Sequence, residues 1–224
     1  AEISCECNPA TTDAGYLGGL RSLGFNRLSI GAQSLDDSEL RALGRIHTAA
    51  DVVLTYHDAR AAGFENISVD LMIGTPGQSG DSQKRTRGQI CALEPEHVSV
   101  YCLKIEEGTP FGKAADRLPL PPEDEVAEMY LGTIEFLAGR GIEQYEISNF
   151  ARAGYECRHN LKYWNCDEYL GFGAAAHSYF GGERFACHRS LERYFAGAYV
   201  DETSRTRLSH ADLETEYVML AMRR

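Results

Sequence analysis

Four short apolar runs with the same alternating pattern constrain the fold of this chain more than any other feature. Successive side chains of a β-strand point to opposite faces, so each run has an apolar face and a second face. That second face carries a serine in every run, with a further polar residue one or two steps along it. The runs are Ile3–Asn8, Arg27–Gln33, Ile67–Ile73 and His97–Leu103.

Helical patterns separate the four runs, and this order is typical of parallel strands joined by crossover helices. Bulky branched side chains fill the interior of a closed eight-stranded barrel, whereas the second face here is small and polar. We therefore predict an α/β fold: a partial, open (β/α) barrel with a C-terminal extension of loops and strands. The polar interior of such a barrel needs a ligand, because buried polar groups require hydrogen-bond partners.

Capping signals predict where the helices begin. Thr12 and Thr48 are expected to cap two of them, and Asp36 with Glu39 has the spacing of a capping box. A further helix is expected over about 79–93 and another from about Leu191. Segment 142–190 has few helix signals and is expected to form loops and short strands, and Asp201–Arg207 forms a polar stretch.

The pattern divides the chain into three predicted domains. Residues 1–112 would form part of the barrel, 113–196 an extension that completes it, and 197–224 the start of a helical domain. The chain opens inside a strand pattern and closes inside a helical pattern. We therefore expect a fragment of a longer protein.

Composition excludes several classes of function. The net charge of −11 argues against binding to a nucleic-acid backbone. The chain has no long apolar span and no signal peptide, so we expect a cytoplasmic protein without an integral membrane segment. Seven cysteines at irregular positions indicate reduced thiols, and Cys5, Cys7 and Cys102 are expected to be buried on the apolar strand face.

Polar residues follow the strands at their carboxyl ends, where parallel barrels place their active sites. Glu6, Gln33 and Asp70 lie at or near strand ends, and Arg45 follows in the second strand–helix loop. Two carboxylates, an amide and a guanidinium suit a zwitterionic ligand that carries hydroxyls. The alternative is that the carboxylates satisfy helix N-termini or pair with arginines as structural ions, which for any one residue is nearly as plausible.

The segment from His159 to Trp164 contains the sole tryptophan of the chain. Its histidine could ligate iron, with aromatic side chains beside a flat macrocycle. A histidine among aromatic residues is more often a packed, hydrogen-bonded residue, and the residues alone favour that alternative. The same holds for His177 and His188.

The motifs together resemble those of the radical S-adenosylmethionine (SAM) family. Within it they are most similar to the coproporphyrinogen III oxidase-like branch, and to its HemW-type heme chaperones. The motifs are Arg27-Leu-Ser-Ile-Gly-Ala-Gln33, Leu43-Gly-Arg-Ile-His47, Val69-Asp-Leu-Met-Ile-Gly-Thr-Pro-Gly-Gln78, Tyr145-Glu-Ile-Ser-Asn-Phe-Ala151, His159-Asn-x-x-Tyr-Trp164 and Gly171-Phe-Gly-Ala-x-x-His-Ser178.

This resemblance implies a partial barrel that binds SAM and one [4Fe–4S] cluster. Glu6, Gln33, Arg45 and Asp70 match SAM-contacting positions of the family, and Lys104 and His177 match two further positions by alignment. His159 belongs to the motif proposed to engage heme in HemW-type proteins. The family's Cys-x-x-x-Cys-x-x-Cys loop and its glycine-rich strand are missing from this sequence. Both would lie upstream of Ala1, so no metal ligand is assigned.

Three functions remain open from the sequence. The first is a HemW-like heme chaperone that passes heme to an unknown acceptor protein. The second is an oxygen-independent coproporphyrinogen III oxidase, a radical SAM enzyme that decarboxylates two propionates in porphyrin biosynthesis. The third is an inactive truncation. The motifs at Tyr145–Ala151 and His159–Trp164 favour the chaperone over the enzyme.

Overall fold

The computed structural model describes all 224 residues. The chain forms two compact units, Ala1–Glu156 and Cys157–Arg224. Each unit has its own sheet, and each is described by itself. The domain division predicted from the sequence, with boundaries after residues 112 and 196, stays a prediction.

An open six-stranded sheet forms the centre of the first unit, in the order β1-β2-β3-β4-β6-β5. Strands β1 to β4 pair in parallel, and β6 runs antiparallel to both β4 and β5. The predicted α/β class with parallel strands is confirmed, and the sheet is not closed into a barrel. The strands are β1 (Ser4–Cys7), β2 (Arg27–Gln33), β3 (Ile67–Ile73), β4 (His97–Cys102), β5 (Glu143–Gln144) and β6 (Asn149–Ala151).

Helices connect the parallel strands of the first unit, because two parallel strands can be joined only by a crossover. Two helices lie between β2 and β3, and one lies in each of the other crossovers. The helices are α1 (Ala14–Ser22), α2 (Asp37–Ala42), α3 (Ala49–Ala61), α4 (Gly80–Ala92), α5 (Pro110–Ala114) and α6 (Glu123–Ala138), with a 3₁₀ turn at Ala115–Arg117.

The apolar strand face forms the core of the first unit. Leu28, Ile30, Val69 and Val98 are fully buried and belong to one cluster with residues from the surrounding helices. The prediction for the cysteines is partly wrong. Cys7 is buried and Cys5 is partly buried, but Cys102 is exposed at the carboxyl end of β4, beyond the part of the strand that the core covers.

The structure corrects one predicted helix start and one predicted capping box. Asp13, not Thr12, caps α1, since its side chain accepts a hydrogen bond from the Tyr16 backbone N–H. Asp36 caps α2, but Glu39 does not complete a capping box. Thr48 forms the expected cap of α3, in a full capping box with Asp51.

Glu39 points into the protein instead, where it forms a buried network of hydrogen bonds. One carboxylate oxygen accepts from Ser34 Oγ at 2.6 Å and Gln78 Nε2 at 3.0 Å, and the other accepts from Ser82 Oγ at 2.5 Å. Gln78 Oε1 accepts in turn from the Gly74 N–H at 2.7 Å. The network therefore ties the segments that follow β2 and β3 to the start of α4.

The second unit contains a three-stranded antiparallel sheet, β7-β8-β9. Two results differ from the sequence predictions: a helix lies within segment 142–190, and the polar stretch Asp201–Arg207 is part of a strand that pairs with β8. The elements are α7 (Arg158–Trp164), β7 (His177–Phe180), β8 (Glu183–Cys187), α8 (Leu191–Phe195), β9 (Val200–Arg207) and α9 (His210–Ala221).

The length and hydropathy of a helix decide whether it can span a bilayer. A membrane-spanning helix needs about 20 predominantly apolar residues, and none of the helices in the structure meets that requirement.

The Glu39 network predicts a large effect from a small substitution. Replacing Glu39 by Gln places an amide N–H₂ against donors from Ser34, Gln78 or Ser82, so one buried group loses its acceptor. We expect the free energy of unfolding to fall by about 2 kcal/mol, measured by urea denaturation. Glu135→Gln, on the exposed side of α6, is the matched control and should change it by less than about 0.5 kcal/mol. Equal effects of the two substitutions would contradict a structural role for the network.

Candidate functional site

The register of the sheet brings the polar strand residues into rows. Glu6 pairs with Ser29, Ser29 with Ser68, and Ser68 with His97. Residues paired in register point to the same side of a sheet, so these four side chains share one face. The next row on that face contains Asp70, Ser99 and Asn149. The predicted polar face is therefore a continuous surface across β1, β2, β3, β4 and β6.

Asp70 is held at the centre of this face by hydroxyl groups. Ser29 Oγ lies 3.0 Å from Oδ1 and 3.2 Å from Oδ2, and Ser68 Oγ donates to Oδ1 at 3.4 Å. Burial raises the pKa of the Asp70 carboxyl above its usual range, and the nearby charge of Glu6 adds to this rise. Hydrogen bonds from Ser99 and Ser29 and the charge of Arg27 oppose it.

A second polar group lies at the carboxyl ends of β1 and β2. Arg45 Nη1 donates a hydrogen bond to Asn8 Oδ1 at 2.9 Å. A Cβ atom placed on Gly31 would lie 3.2 Å from Gln33 Nε2 and 3.3 Å from Asn8 Oδ1. The absence of a side chain at Gly31 thus lets the two amides converge over it.

Gln33 reaches this position through an irregular backbone. The β2–β3 register shifts between Ile30 and Gln33, and Gln33 adopts a φ of 66°. This left-handed conformation is uncommon for a residue other than glycine and occurs often at functional sites. Gln33 is nevertheless buried, so the strained backbone holds its amide at the end of the strand.

Glu6, Arg45 and Asp70 form no salt bridge with one another or with Arg27. Arg45 donates to an amide, and the salt bridges of the first unit are formed elsewhere, as between Arg60 and Glu96 at 2.6 Å. Lys104 follows the carboxyl end of β4 and forms an exposed salt bridge with Glu106 at 2.8 Å. Of the charged candidate residues at the strand ends, Lys104 is therefore the one that forms a salt bridge.

Sequence reasoning missed His97, which lies at the start of the polar face of β4. Its Nδ1 is 2.8 Å from Ser68 Oγ and its Nε2 is 2.8 Å from the Tyr145 hydroxyl. Burial, with the charge of Arg27 adding to it, lowers the pKa of His97 to about 3. Strand alternation places His97 on the same face as Ser99, so the sequence pattern could have identified it. Tyr145 follows the two-residue strand β5, and no strand pattern indicates its contact with His97.

Two buried polar atoms on these strands have no partner in the protein. They are Arg27 Nε and Asn149 Oδ1. An unpaired buried polar atom is costly, and a bound polar ligand or water relieves that cost. Together with the carboxylates of Glu6 and Asp70, these atoms fit a ligand such as SAM, which carries an ammonium group, a carboxylate and ribose hydroxyls.

The histidines singled out in the second unit occupy different environments. His159 lies in α7, where its Nε2 is 3.1 Å from the Tyr163 hydroxyl and the two rings meet edge to face with centroids 5.0 Å apart. His177 is exposed at the start of β7, where it pairs with Ala186. His188 Nδ1 lies 3.8 Å from Asp201 Oδ2. His159 therefore combines an imidazole, a side chain that ligates heme iron, with neighbouring aromatic rings.

An iron–sulfur cluster does not fit the residues of this chain. No group of three or more His, Cys, Asp or Glu side chains is arranged to hold a metal ion. All seven cysteines are free thiols, and burial, together with the nearby Cys5 and Asp70, raises the pKa of Cys7 to about 12. A neutral buried thiol is a poor metal ligand, since the thiolate is the ligating form.

Comparison with known proteins agrees with the motifs. Residues 1–87 match the model of the Radical SAM superfamily. Over 186 residues the chain is 45% identical to the heme chaperone HemW of Bacillus subtilis (strain 168), covering 82% of this chain and 49% of that protein. HemW of Mycobacterium tuberculosis (strain CDC 1551 / Oshkosh) is 35% identical over 228 residues, covering 100% of this chain and 58% of that protein.

A mammalian relative and a solved structure extend the comparison. The mitochondrial radical S-adenosyl methionine domain-containing protein 1 of Mus musculus is 41% identical over 182 residues, covering 80% of this chain and 41% of that protein. The structure of coproporphyrinogen III oxidase (HemN) from Escherichia coli, a radical SAM enzyme, superposes with a TM-score of 0.83 at 24% identity. It covers 99% of this chain and 55% of that one, and at this identity the likeness shows the fold alone.

These matches confirm the resemblance to the radical SAM superfamily and to HemW-type proteins. The chain spans about half the length of the curated relatives that it matches. The individual site residues, namely Glu6, Gln33, Arg45, Asp70, Lys104, His177 and His159, stay predictions.

Burial of neutral His97 predicts a pH dependence of stability. The unfolded chain binds a proton near pH 6.5, but folded His97 does so only near pH 3. The stabilising contribution is therefore present above about pH 6.5 and is lost as the pH falls toward 3, by up to about 1.4 kcal/mol per pH unit. His97→Gln should flatten this part of the stability profile, measured by denaturant unfolding between pH 4 and 7. The exposed His57, replaced by Gln, is the control and should leave the slope unchanged. A wild-type slope in His97→Gln would contradict the prediction.

Proposed function

We propose that this chain carries the nucleoside-binding part and part of the heme-binding region of a HemW-like heme chaperone. The observation that carries the proposal is the ordered set of motifs shared with HemW-type proteins, together with 45% identity to a heme chaperone over most of the chain. The proposal further includes SAM as the nucleoside ligand, heme as the cargo and an acceptor protein for the heme. It also includes a cytoplasmic location.

The polar face of the first unit supports the SAM assignment. Glu6 and Asp70 would accept hydrogen bonds from the ammonium group and the ribose hydroxyls, because carboxylates are acceptors. Arg45 would pair with the methionyl carboxylate, as guanidinium groups do in a bidentate manner. Gln33 would offer an amide at the end of β2. Two separate arguments, the position at strand ends and the match to the family motifs, give the same four candidate residues.

The iron–sulfur cluster enters the proposal only through the superfamily. Radical SAM proteins use a [4Fe–4S] cluster to reduce SAM, which is the chemistry that the group supplies when bound. The cysteine triplet that would hold it is not among the residues of this chain. The proposed roles of Glu6, Gln33, Arg45 and Asp70 therefore concern ligand binding and involve no redox step.

The α7 region of the second unit supports the heme assignment. His159 offers an imidazole nitrogen, and the Tyr163 and Tyr169 rings meet edge to face with centroids 4.6 Å apart next to it. An axial bond through Nε2 would replace the 3.1 Å contact with the Tyr163 hydroxyl. A phenol hydrogen bond is weak compared with a bond to iron, so this exchange is favourable.

Nucleoside binding tests the first half of the proposal. Replacing Asp70 by Asn removes the charge from the centre of the polar face while keeping the shape of the side chain. Because a hydrogen bond to a charged group contributes about 1.5–3 kcal/mol, we expect the Kd for SAM to rise by about tenfold or more, measured by NMR titration of the chain. Asp116→Asn, on an exposed turn, should leave the Kd unchanged. Equal affinity of wild type and Asp70→Asn for SAM would contradict the assignment.

Heme uptake tests the second half. Titration of the chain with hemin should give a Soret band whose position reports histidine ligation. His159→Ala should lose that band or weaken heme binding by about tenfold or more, because an axial ligand is removed. His210→Ala, an exposed histidine at the start of α9, should bind hemin as wild type does.

A further variant makes the heme test sharper. Tyr163→Phe removes the hydroxyl that contacts His159 Nε2 and keeps the aromatic ring, so heme binding should be retained or strengthened. Unchanged binding in His159→Ala would rule out this ligand. Conversion of coproporphyrinogen III without any heme uptake would favour the oxidase over the chaperone.

A further inference from the structure

We propose that His97 is a positioning residue for the nucleoside pocket: it turns the Ser68 hydroxyl toward Asp70 and thereby fixes the carboxylate that receives the ribose hydroxyls. This inference rests on the proposed SAM site and deepens it. His97 does not touch the ligand position itself, because Ser68 lies between it and Asp70.

The hydrogen-bond chain has a defined direction. Ionised Asp70 only accepts hydrogen bonds, so Ser68 Oγ must be the donor in their 3.4 Å contact. The Ser68 oxygen is then free to accept from His97 Nδ1 at 2.8 Å. His97 Nε2 in turn accepts from the Tyr145 hydroxyl at 2.8 Å. Every proton in the chain Tyr145–His97–Ser68 therefore points toward Asp70.

The environment of His97 keeps its imidazole neutral, so only one of its two ring nitrogens carries a proton. The imidazole is fully buried, and the positive charge of Arg27 disfavours a second positive charge beside it. A neutral imidazole donates through one nitrogen and accepts through the other. If the proton were on Nε2, Ser68 would have to donate to Nδ1, and the carboxylate would lose a donor in a place where burial makes donors valuable.

The consequence for the ligand lies in the two oxygens of Asp70. Oδ1 accepts from Ser29 Oγ at 3.0 Å and from Ser68 Oγ at 3.4 Å, Oδ2 lies 3.2 Å from Ser29 Oγ, and Ser99 also donates a hydrogen bond to the carboxylate. The two oxygens of an ionised carboxylate offer about four acceptor positions, so acceptor capacity remains beside these hydroxyls. We assign it to the hydrogen bond from a ribose hydroxyl, with Ser68 helping to hold the carboxylate in its orientation.

The tautomer of His97 can be read without any ligand. NMR of the chain labelled with ¹⁵N-histidine distinguishes a protonated Nδ1 from a protonated Nε2 through their chemical shifts. We expect His97 to be neutral with the proton on Nδ1 between pH 6 and 8. A proton on Nε2 would overturn the inference and would leave the proposed SAM site unaffected.

Two amide substitutions then test the role of each ring nitrogen. The amide nitrogen of His97→Asn lies where Nδ1 was and can still donate to Ser68. That of His97→Gln lies nearer to the former Nε2 and cannot. With adenosine as the probe, we expect His97→Asn to stay within about twofold of wild type and His97→Gln to bind about five- to tenfold more weakly, as for the loss of one oriented hydrogen bond.

A ligand without ribose hydroxyls distinguishes a loss of Asp70 positioning from a general loss of structure in the variant. With 2′,3′-dideoxyadenosine as the probe, His97→Gln and wild type should bind equally, because the hydroxyls that Asp70 receives are absent. Ser68→Ala should reproduce the His97→Gln pattern with both probes, and it stands in for that variant if His97→Gln does not fold. The exposed substitution His57→Gln should match wild type throughout.

The outcomes distinguish the inference from the proposed function. If wild type binds adenosine and His97→Asn, His97→Gln and Ser68→Ala all bind it equally well, His97 has no positioning role and the SAM site stands. If His97→Gln loses the same factor with both probes, its role is only structural and the inference is overturned. If wild type does not bind adenosine, the proposed SAM site fails, and the role of His97 fails with it.

Discussion

The withdrawal of the Asp70 carboxylate from water is the constraint on which the polar face depends. A buried charge is costly unless it is paired and hydrogen-bonded, and here the donors come from hydroxyl groups of Ser29 and Ser68. The positive charge of Arg27 lowers the pKa of the Asp70 carboxyl and so partly opposes the effect of burial. Hydroxyls can hold a carboxylate in place but do not neutralise it. A ligand that brings its own donors, as proposed for SAM, would therefore gain free energy by binding there.

The edge of the sheet meets two opposite requirements. To bind the proposed ligand, the carboxyl ends of β2 and β3 must be both accessible and rigid. Gly31 leaves room at this edge, because the side chains of Asn8 and Gln33 occupy the space that a Cβ atom at this position would need. Rigidity comes from Glu39, which binds Ser34 directly after β2 and Gln78 directly after β3. A fully satisfied buried network of this kind gives one fixed arrangement, so the left-handed conformation of Gln33 can be maintained.

Sequence patterns predicted the parallel strands well because their signal is local. A run that alternates between apolar and polar residues specifies both the strand and its two faces, and β1 to β4 lie within one residue of the predicted ends.

Sequence patterns failed where residues distant in the sequence determine the local structure. Glu39 has the spacing of a capping residue, but Ser34, Gln78 and Ser82 offer it more hydrogen bonds than a helix end can. Asp201–Arg207 is only a polar stretch in the sequence, yet it pairs as a strand with β8. The same limit applies to the candidate site: strand alternation found Asp70, but the Tyr145 end of the hydrogen-bond chain depends on β6 pairing with β4.

The candidate residues are distributed between the two units. Glu6, Gln33, Arg45, Asp70 and Lys104 belong to Ala1–Glu156, whereas His159 and His177 belong to Cys157–Arg224. The proposed nucleoside ligand would use mainly the polar face of a parallel sheet, with His177 as a further candidate contact, and the proposed heme ligand would use one helix with its neighbouring aromatic rings. If binding of the two ligands is coupled, the coupling free energy acts in both directions. Heme affinity measured with and without SAM therefore reports the same coupling as SAM affinity measured with and without heme.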